Sequence, residues 1–464
     1  MNPRCGGIVV FKIIFTHMHT VKNLLHNTAM LIVTAMLLAA GGCSSTDTEL
    51  MELVPASAQA VIVTNLTKVM DEAGYTTAPR TMPKWITGGT DMLGNSNEAA
   101  KALDLNHLVA FAMNGSNFAT IAKVRSETGL TTLATNAGFT RADNGGYTVW
   151  KGADLDIAVK DHVAWIGPEA LTMAQLAEAK RKNDGNYTLW KGLTEFINTE
   201  NAMSAVVCLE GTDASQKGKY VCVELNGNDE AASIDFCLMQ ADGEKIKNDA
   251  LTVMQTDFLR YLPRNFNTAL AIGTSPKFNW DKIAEIVESI GGGQARGTFD
   301  SVMDLLKQCD GTIAVAADGY TLATGTPAIM TMIHLPQEKV DSVLKDVIGQ
   351  FTSVGIPAKV RPDGQTELAI PNMKVFVGSV DGYLAIGTQP FVADQNNSFT
   401  TTFEGQCGAA VMQLETLRTF HLGLDYGIDV RAQMGETDSK IKMTFPGSND
   451  RPLANLISLL SIFL

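Results

Sequence analysis

The sequence predicts an α+β fold made of two tandem similar units, each mainly antiparallel sheet packed against helices. Three observations predict it. Strand-like runs recur in both halves, too many for a helical bundle, and short turns such as N-G-N-D-E (Asn226–Glu230) suit antiparallel neighbours. Helical segments between some of these runs provide a layer to cover a sheet face. The order of elements also returns halfway along the chain. L-V-P-A-S-A-Q-A-V-I-V-T-N-L-T-K-V-M-D-E-A-G (Leu53–Gly74) has a counterpart in Tyr261–Gly291, which opens Y-L-P-R-N-F-N-T-A-L-A-I-G. Each places a proline (Pro55, Pro263) before an apolar strand, then passes through a polar turn into a helix ending at glycine. The division expected over the 464 residues is a signal peptide at 1–42, a tether at 43–52, and repeats at 53–260 and 261–464. Repeats of that length are duplicated domains rather than turns of a solenoid.

In the first half, Ala58–Val63 reads as a buried strand and Leu66–Gly74 as a helix stopped by glycine. Tyr75–Asn97, rich in Gly, Thr, Pro and Asn, reads as loop, and Ala99–Leu103 as a short helix. Strands follow at His107–Met113 and Phe118–Val124, with N-G-S (Asn114–Ser116) between them. Glu127–Ala137 suits a helix capped by Gly138. Tyr147–Trp150, Leu155–Val159 and Val163–Ile166 read as strands. Pro168–Arg181 reads as a helix opened by proline, with basic residues at its negative end. Met203–Leu209, Lys219–Leu225 and Ala232–Met239 close the half as strands, leading into an expected helix at Asn248–Tyr261.

The second half repeats this order. Thr312–Ala317 and Ala328–His334 are strand-like, and Gln337–Val354 is amphipathic, with Val340, Val343, Leu344, Val347 and Phe351 on one face and Gly355 at its end. Strands are expected at Glu367–Ile370, Lys374–Val377, Tyr383–Ile386, Ala409–Leu414, Gly427–Gln433 and Lys440–Phe445. The sharpest echo is D-H-V-A-W-I-G (Asp161–Gly167) against D-G-Y-L-A-I-G (Asp381–Gly387): a turn acid, a buried strand, a glycine. Leu453–Leu464 reads as a packed helix standing where Asn248–Tyr261 stands in the first half. It is shorter than the roughly 20 apolar residues a bilayer span takes.

The N-terminus addresses the chain. Ala29–Ala40 has the length of a signal-peptide apolar region and is too short for a span. It runs into L-A-A-G-G-C and then S-S-T-D-T-E, so cleavage is expected before Cys43, with Cys43 as the lipidation site and Ser44–Leu50 as a flexible tether. Starting at Met18 gives the more ordinary leader, with Lys22 as its positive charge, and Met18 is the expected translation start. Residues 1–42 carry Arg4, Lys12 and Lys22 and no acid. From Cys43 onward 33 basic residues face 49 acidic ones, a net charge of −16 against −13 for the whole chain. Such a surface repels phosphate backbones, so no nucleic-acid partner is expected.

The lipobox-like leader, the tether, the L-V-P-A-S-A-Q-A-V-I-V-T-N-L-T-K-V-M opening and Y-T-L-W-K-G-L-T-E-F-I-N (Tyr187–Asn198) resemble Bacteroidetes envelope lipoproteins assigned to a domain of unknown function. The family pattern prefers Leu three residues before the cysteine, where this chain has Ala40. The resemblance implies diacylglycerol on the Cys43 sulfur, attachment to the outer membrane in the cell envelope, and no known catalysis. It carries over no functional residue besides Cys43.

Chemistry is sparsely written. His107, His162, His334 and His421 stand alone, with no H-E-x-x-H and no paired spacing, so neither a metal nor a cofactor is expected. No G-x-S-x-G elbow occurs, although a triad can be assembled from distant residues. G-G-G-Q-A-R-G (Gly291–Gly297) lacks the strand before it and the lysine of a phosphate cradle, and reads as a helix stop and linker. Cys208, Cys222 and Cys237 fall in strands, where a bridge among them and burial as small hydrophobes are both open. G-Y-T-V-W-K-G (Gly146–Gly152) and N-Y-T-L-W-K-G (Asn186–Gly192) place Tyr147, Trp150, Tyr187 and Trp190 beside Asn and Asp. Exposed, these rings suit a glycan surface; buried, they pack the core. The expected function is therefore binding of a glycan or protein partner without catalysis, with a hydrolase of unrecognised site as the alternative.

Overall fold

Strands are the commonest regular element among the described residues. The computed structural model describes residues 48–55, 58–75, 96–112, 118–183, 201–209, 218–281, 306–309, 311–320, 328–370, 373–393, 399–417 and 424–463. Among them, twenty strands are paired antiparallel within two compact units. One unit holds the described residues up to Ile246 together with Asn449–Phe463; the other holds Lys247–Ser448.

The first unit contains β1 (Ala60–Thr64), β2 (Leu103–Ala112), β3 (Phe118–Val124), β4 (Thr140–Asn144), β5 (Tyr147–Lys151), β6 (Asp156–Lys160), β7 (Val163–Gly167), β8 (Met203–Cys208), β9 (Lys219–Gly227) and β10 (Ala232–Gln240). Their order across the ladder is β4-β5-β6-β7-β3-β2-β1-β8-β9-β10. β1 reads A-V-I-V-T without polar alternation because it is central and buried on both faces; Val61 sits between Phe111 and Val206. β3 alternates instead, burying Ala119, Ile121 and Val124 while Phe118 and Thr120 are half-exposed.

Helices dress this ladder. α1 (Thr48–Met51) seats Leu50 and Met51 in the core cluster that holds Val61, Phe111, Ile121, Trp165 and Cys222. α2 (Leu66–Glu72) starts where Asn65 Oδ1 accepts from the Lys68 amide at 2.6 Å, and α3 (Ser96–Ala102) leads into β2. α4 (Glu127–Asn136) is capped by Ser126, whose Oγ accepts from the Gly129 amide at 3.0 Å. Gly138, at φ +81°, supplies the left-handed turn after it. α5 (Ala170–Asn183) buries Met173, Ala174 and Ala177.

The second unit contains β11 (Thr268–Gly273), β12 (Thr312–Ala317), β13 (Ile329–His334), β14 (Ala358–Val360), β15 (Thr366–Ile370), β16 (Met373–Val380), β17 (Tyr383–Gly387), β18 (Gly408–Leu414), β19 (Ile428–Met434) and β20 (Asp438–Thr444). Its order is β14-β15-β16-β17-β13-β12-β11-β18-β19-β20, the same sequence of pairings as in the first unit. α6 (Gln337–Ser353) covers part of one face, packing Val340 and Val343 with Leu368, Val375, Val377 and Leu384. The short α7 (Thr400–Phe403) contributes Phe403 to a second cluster with Met254, Phe258, Leu259, Met332 and Tyr383.

These findings correct the predicted class. The fold is mainly antiparallel sheet with few helices rather than α+β: twenty strands pair in it, some of them unread from sequence, and an expected helix is largely irregular. Asn248–Tyr261 is the clearest case. Only Asp257–Tyr261 is helical there, as a 3-10 turn. The rest is held by long-range bonds, Thr252 N–H to Gly273 O and Met254 N–H to Gln406 O. The units are also not tandem. The last helix, α8 (Pro452–Phe463), packs with α2, β9 and β10 of the first unit rather than with the strands it follows. The expected tether is shorter as well, since Leu50 and Met51 are buried.

Candidate functional site

A polar constellation of the second unit gathers at one end of β13, β16 and β17. β16 and β17 are joined by Asp381 and Gly382, both with positive φ (46° and 81°), the backbone of a two-residue type I′ hairpin turn. This turn presents the Asp381 carboxylate outward. It accepts a hydrogen bond from the Arg260 guanidinium and another from the Tyr261 hydroxyl, both carried by the 3-10 turn. Arg260 also lies over the Tyr261 ring, 5.3 Å from its centre.

The electrostatics follow from these contacts. The Tyr261 and Arg260 hydrogen bonds hold the Asp381 carboxyl below the usual carboxylate range. Partial burial and the bond to Asp381 push the Tyr261 phenol up. The side chains of Arg260 and Asp381 remain 43% and 37% exposed, so the group is a surface feature anchored on its inner side.

Behind it, Tyr383 is buried and pairs across the ladder with His334, the rings meeting edge to face at 5.1 Å. The Tyr383 hydroxyl donates to the Gln255 carbonyl at 3.1 Å, and burial raises its pKa. A hydroxyl so placed holds Gln255. The outer layer of Arg260, Tyr261 and Asp381 offers a planar donor, a ring and a carboxylate to a polar partner.

The residues singled out from sequence lie elsewhere. Tyr147 and Trp150 are 3% and 4% exposed and pack in the first unit. The Tyr147 hydroxyl donates to Glu178 Oε2 at 2.6 Å while the Lys160 ammonium donates to Glu178 Oε1 at 2.6 Å. Burial, and then Glu178, push that phenol up. These two rings therefore give no exposed stacking surface; Tyr187 and Trp190 lie outside the described residues. His162 sits exposed on the turn between β6 and β7, where Asp161 and His162 both have positive φ, with Nδ1 3.8 Å from Glu127 Oε1. His107 belongs to β2 and His334 to β13. His421, Asn114–Ser116, Gly291–Gly297 and Cys43 lie outside the described residues, as does most of Tyr75–Asn97.

Among the described residues, no group of three or more His, Cys, Asp or Glu could hold a metal ion, and no helix is long and apolar enough to cross a membrane. No disulfide joins any of the five cysteines described there.

Sequence reasoning found the turn acid Asp381 through the echo of Asp161–Gly167 in Asp381–Gly387 but not its partners. Arg260 and Tyr261 are some 120 residues away and fall in a segment read as a helix.

No protein-family model matches the chain, and no curated protein matches it. Two solved structures are similar over part of it. "Structure of crystal form I of TP0453" has a TM-score of 0.26 and 7% identity, covering 42% of this chain and 79% of that one. "Structure of crystal form IV of TP0453" has a TM-score of 0.26 and 8% identity, covering 42% and 83%. A likeness at that level fixes neither the fold nor the function of this chain.

Proposed function

We propose that the chain is a non-catalytic envelope lipoprotein, anchored in the outer membrane through lipidated Cys43, whose folded body binds a glycan or protein partner. The observation that carries this reading is the junction between leader and body. An apolar run ending in L-A-A-G-G-C is followed after Ser44–Asp47 by α1, whose Leu50 and Met51 are already in the core. Five peptide links separate Cys43 from Thr48, so the leash reaches about 18 Å at full extension. A diacylglycerol supplies two acyl chains, the number that stable anchoring takes. The chain beyond Cys43 carries a net charge of −16, so charge attraction to anionic lipid would not hold the body down, and the anchor would.

The outer layer of Arg260, Tyr261 and Asp381 is the surface assigned to the partner, because Arg and Tyr dominate the energetics of binding patches. The test has two arms. Cys43→Ala should leave unprocessed precursor or release the protein from membranes; normal maturation and membrane fractionation of that variant would refute the anchor. Crosslinking pull-down with the tethered protein should capture a partner that Arg260→Ala and Tyr261→Ala lose. Capture unchanged in both variants would remove this surface from the reading. Hydrolysis abolished by one His or Ser substitution would replace binding by catalysis.

A further inference from the structure

The hairpin of β9 and β10 places Cys222 directly opposite Cys237, on the same face of the ladder. Both side chains are buried, in the cluster that also holds Val206, Tyr220 and Met239. Directly opposed residues of an antiparallel pair have Cβ atoms about 4.5–5.5 Å apart. A disulfide takes about 3.5–4.5 Å between Cβ atoms and 4.4–6.8 Å between Cα atoms, so closing this pair needs only a small shift. The register also excludes the competitor. Cys208 opposes Tyr220, and Cys222 opposes Val206, so Cys208 and Cys222 are diagonal neighbours. Diagonal pairs stand about 7–8 Å apart, beyond the reach of a bridge without backbone movement.

We propose that Cys222 and Cys237 are a modification site, a cross-strand pair oxidised to a disulfide by a disulfide-bearing oxidant such as oxidised glutathione or a thiol oxidoreductase. One cysteine, as thiolate, attacks an oxidant sulfur. The oxidant S–S bond breaks, a mixed disulfide forms, and one reduced thiolate leaves. The second cysteine attacks the protein sulfur of the mixed disulfide, closing Cys222–Cys237 and expelling the second oxidant thiolate. The two protons lost by the protein are taken up by the oxidant's thiolates. The protein loses two electrons and the oxidant gains them.

Timing follows from burial. In the folded unit the Cys222 thiol is held protonated by its hydrogen bond with Cys237 and by burial, and attack requires thiolate. Oxidation therefore belongs to the hairpin before the rest of the sheet closes over it.

The inference is independent of the anchor, and its test uses neither membranes nor a partner. The full chain is reduced, denatured and refolded in oxidised glutathione, then blocked and mapped without reductant. The expected result is a linked peptide pair containing Cys222 and Cys237, the loss of two hydrogens, and a thiol count lower by two. The same oxidant added after folding should give the link far more slowly. Cys237→Ala should abolish the link without diverting Cys222 to Cys208. The proposal is overturned if both thiols remain alkylatable after oxidative refolding, or if Cys222 is joined to Cys208 instead.

Discussion

Deleting α8 should unfold the unit that lies farthest from it in sequence. Its Leu453, Leu456 and Ile457 are buried, and Leu453 is 0% exposed. Leu453 rests on the backbone of β9: a Cβ built on Gly227 would stand 2.8 Å from Leu453 Cβ. Burying a side chain of this size stabilises by about 1.5–3 kcal/mol, so truncation after Arg451 removes roughly 5–9 kcal/mol from the first unit. That rivals the whole stability of a typical domain, about 5–15 kcal/mol. Leu453→Ala alone should cost about 3 kcal/mol, within the usual range of about 2–5 for a buried leucine. Tryptophan fluorescence can separate the units. Trp85, Trp150, Trp165 and Trp190 fall within residues 28–246, and Trp280 falls in the other unit. In a Trp280→Phe background, the urea midpoint of Leu453→Ala should drop by roughly 1 M or more, from a slope of about 1–3 kcal/mol per M. An unchanged midpoint would refute the packing argument.

Other substitutions test the second unit and the buried phenols. Gly273→Ala should lower the melting temperature by several degrees, since its Cβ would meet Thr252 O at 2.2 Å and overpacking costs about 1–3 kcal/mol. Asp381 has a depressed folded pKa, so its contribution is present above the ordinary value of 3.8 and is lost as pH falls through the folded value. Asp381→Asn should therefore be less stable than the parent at neutral pH, with the difference closing below about pH 4 in acid titrations followed by circular dichroism. Tyr147→Phe should cost about 1 kcal/mol in urea unfolding, because it removes the donor to Glu178 while leaving the ring's edge-to-face contact with Trp165.

Much of the local structure was legible, and the class was not. Phe118–Val124 and Thr312–Ala317 form strands with the bounds read from their apolar patterns, and Gly138 and Gly355 end their helices with positive φ. β4 was invisible because T-R-A-D-N has no buried residue; it is an edge strand with every side chain exposed. β14 is three exposed residues long and equally silent. Asn248–Tyr261 misled because Leu251, Met254 and Phe258 are buried at intervals of three and four, the spacing of a helix face. Here that spacing comes from an irregular segment running into a 3-10 turn and pinned to Gly273, Gln406 and Thr312, partners that no local pattern announces. Such contacts also hid the candidate site, whose members come from a 3-10 turn and a hairpin far apart in sequence. The packing of α8 was misassigned for a related reason: its apolar face shows that it is buried, not against which unit.

The central claim is the anchor, and it is tested most directly by the mass of the N-terminal peptide of the protein taken from cell membranes. The account predicts a chain that begins at Cys43, with residues 1–42 gone and the mass of a diacylglycerol on the sulfur. A mature N-terminus elsewhere, or Cys43 present as an unmodified thiol in membrane-derived protein, would contradict it.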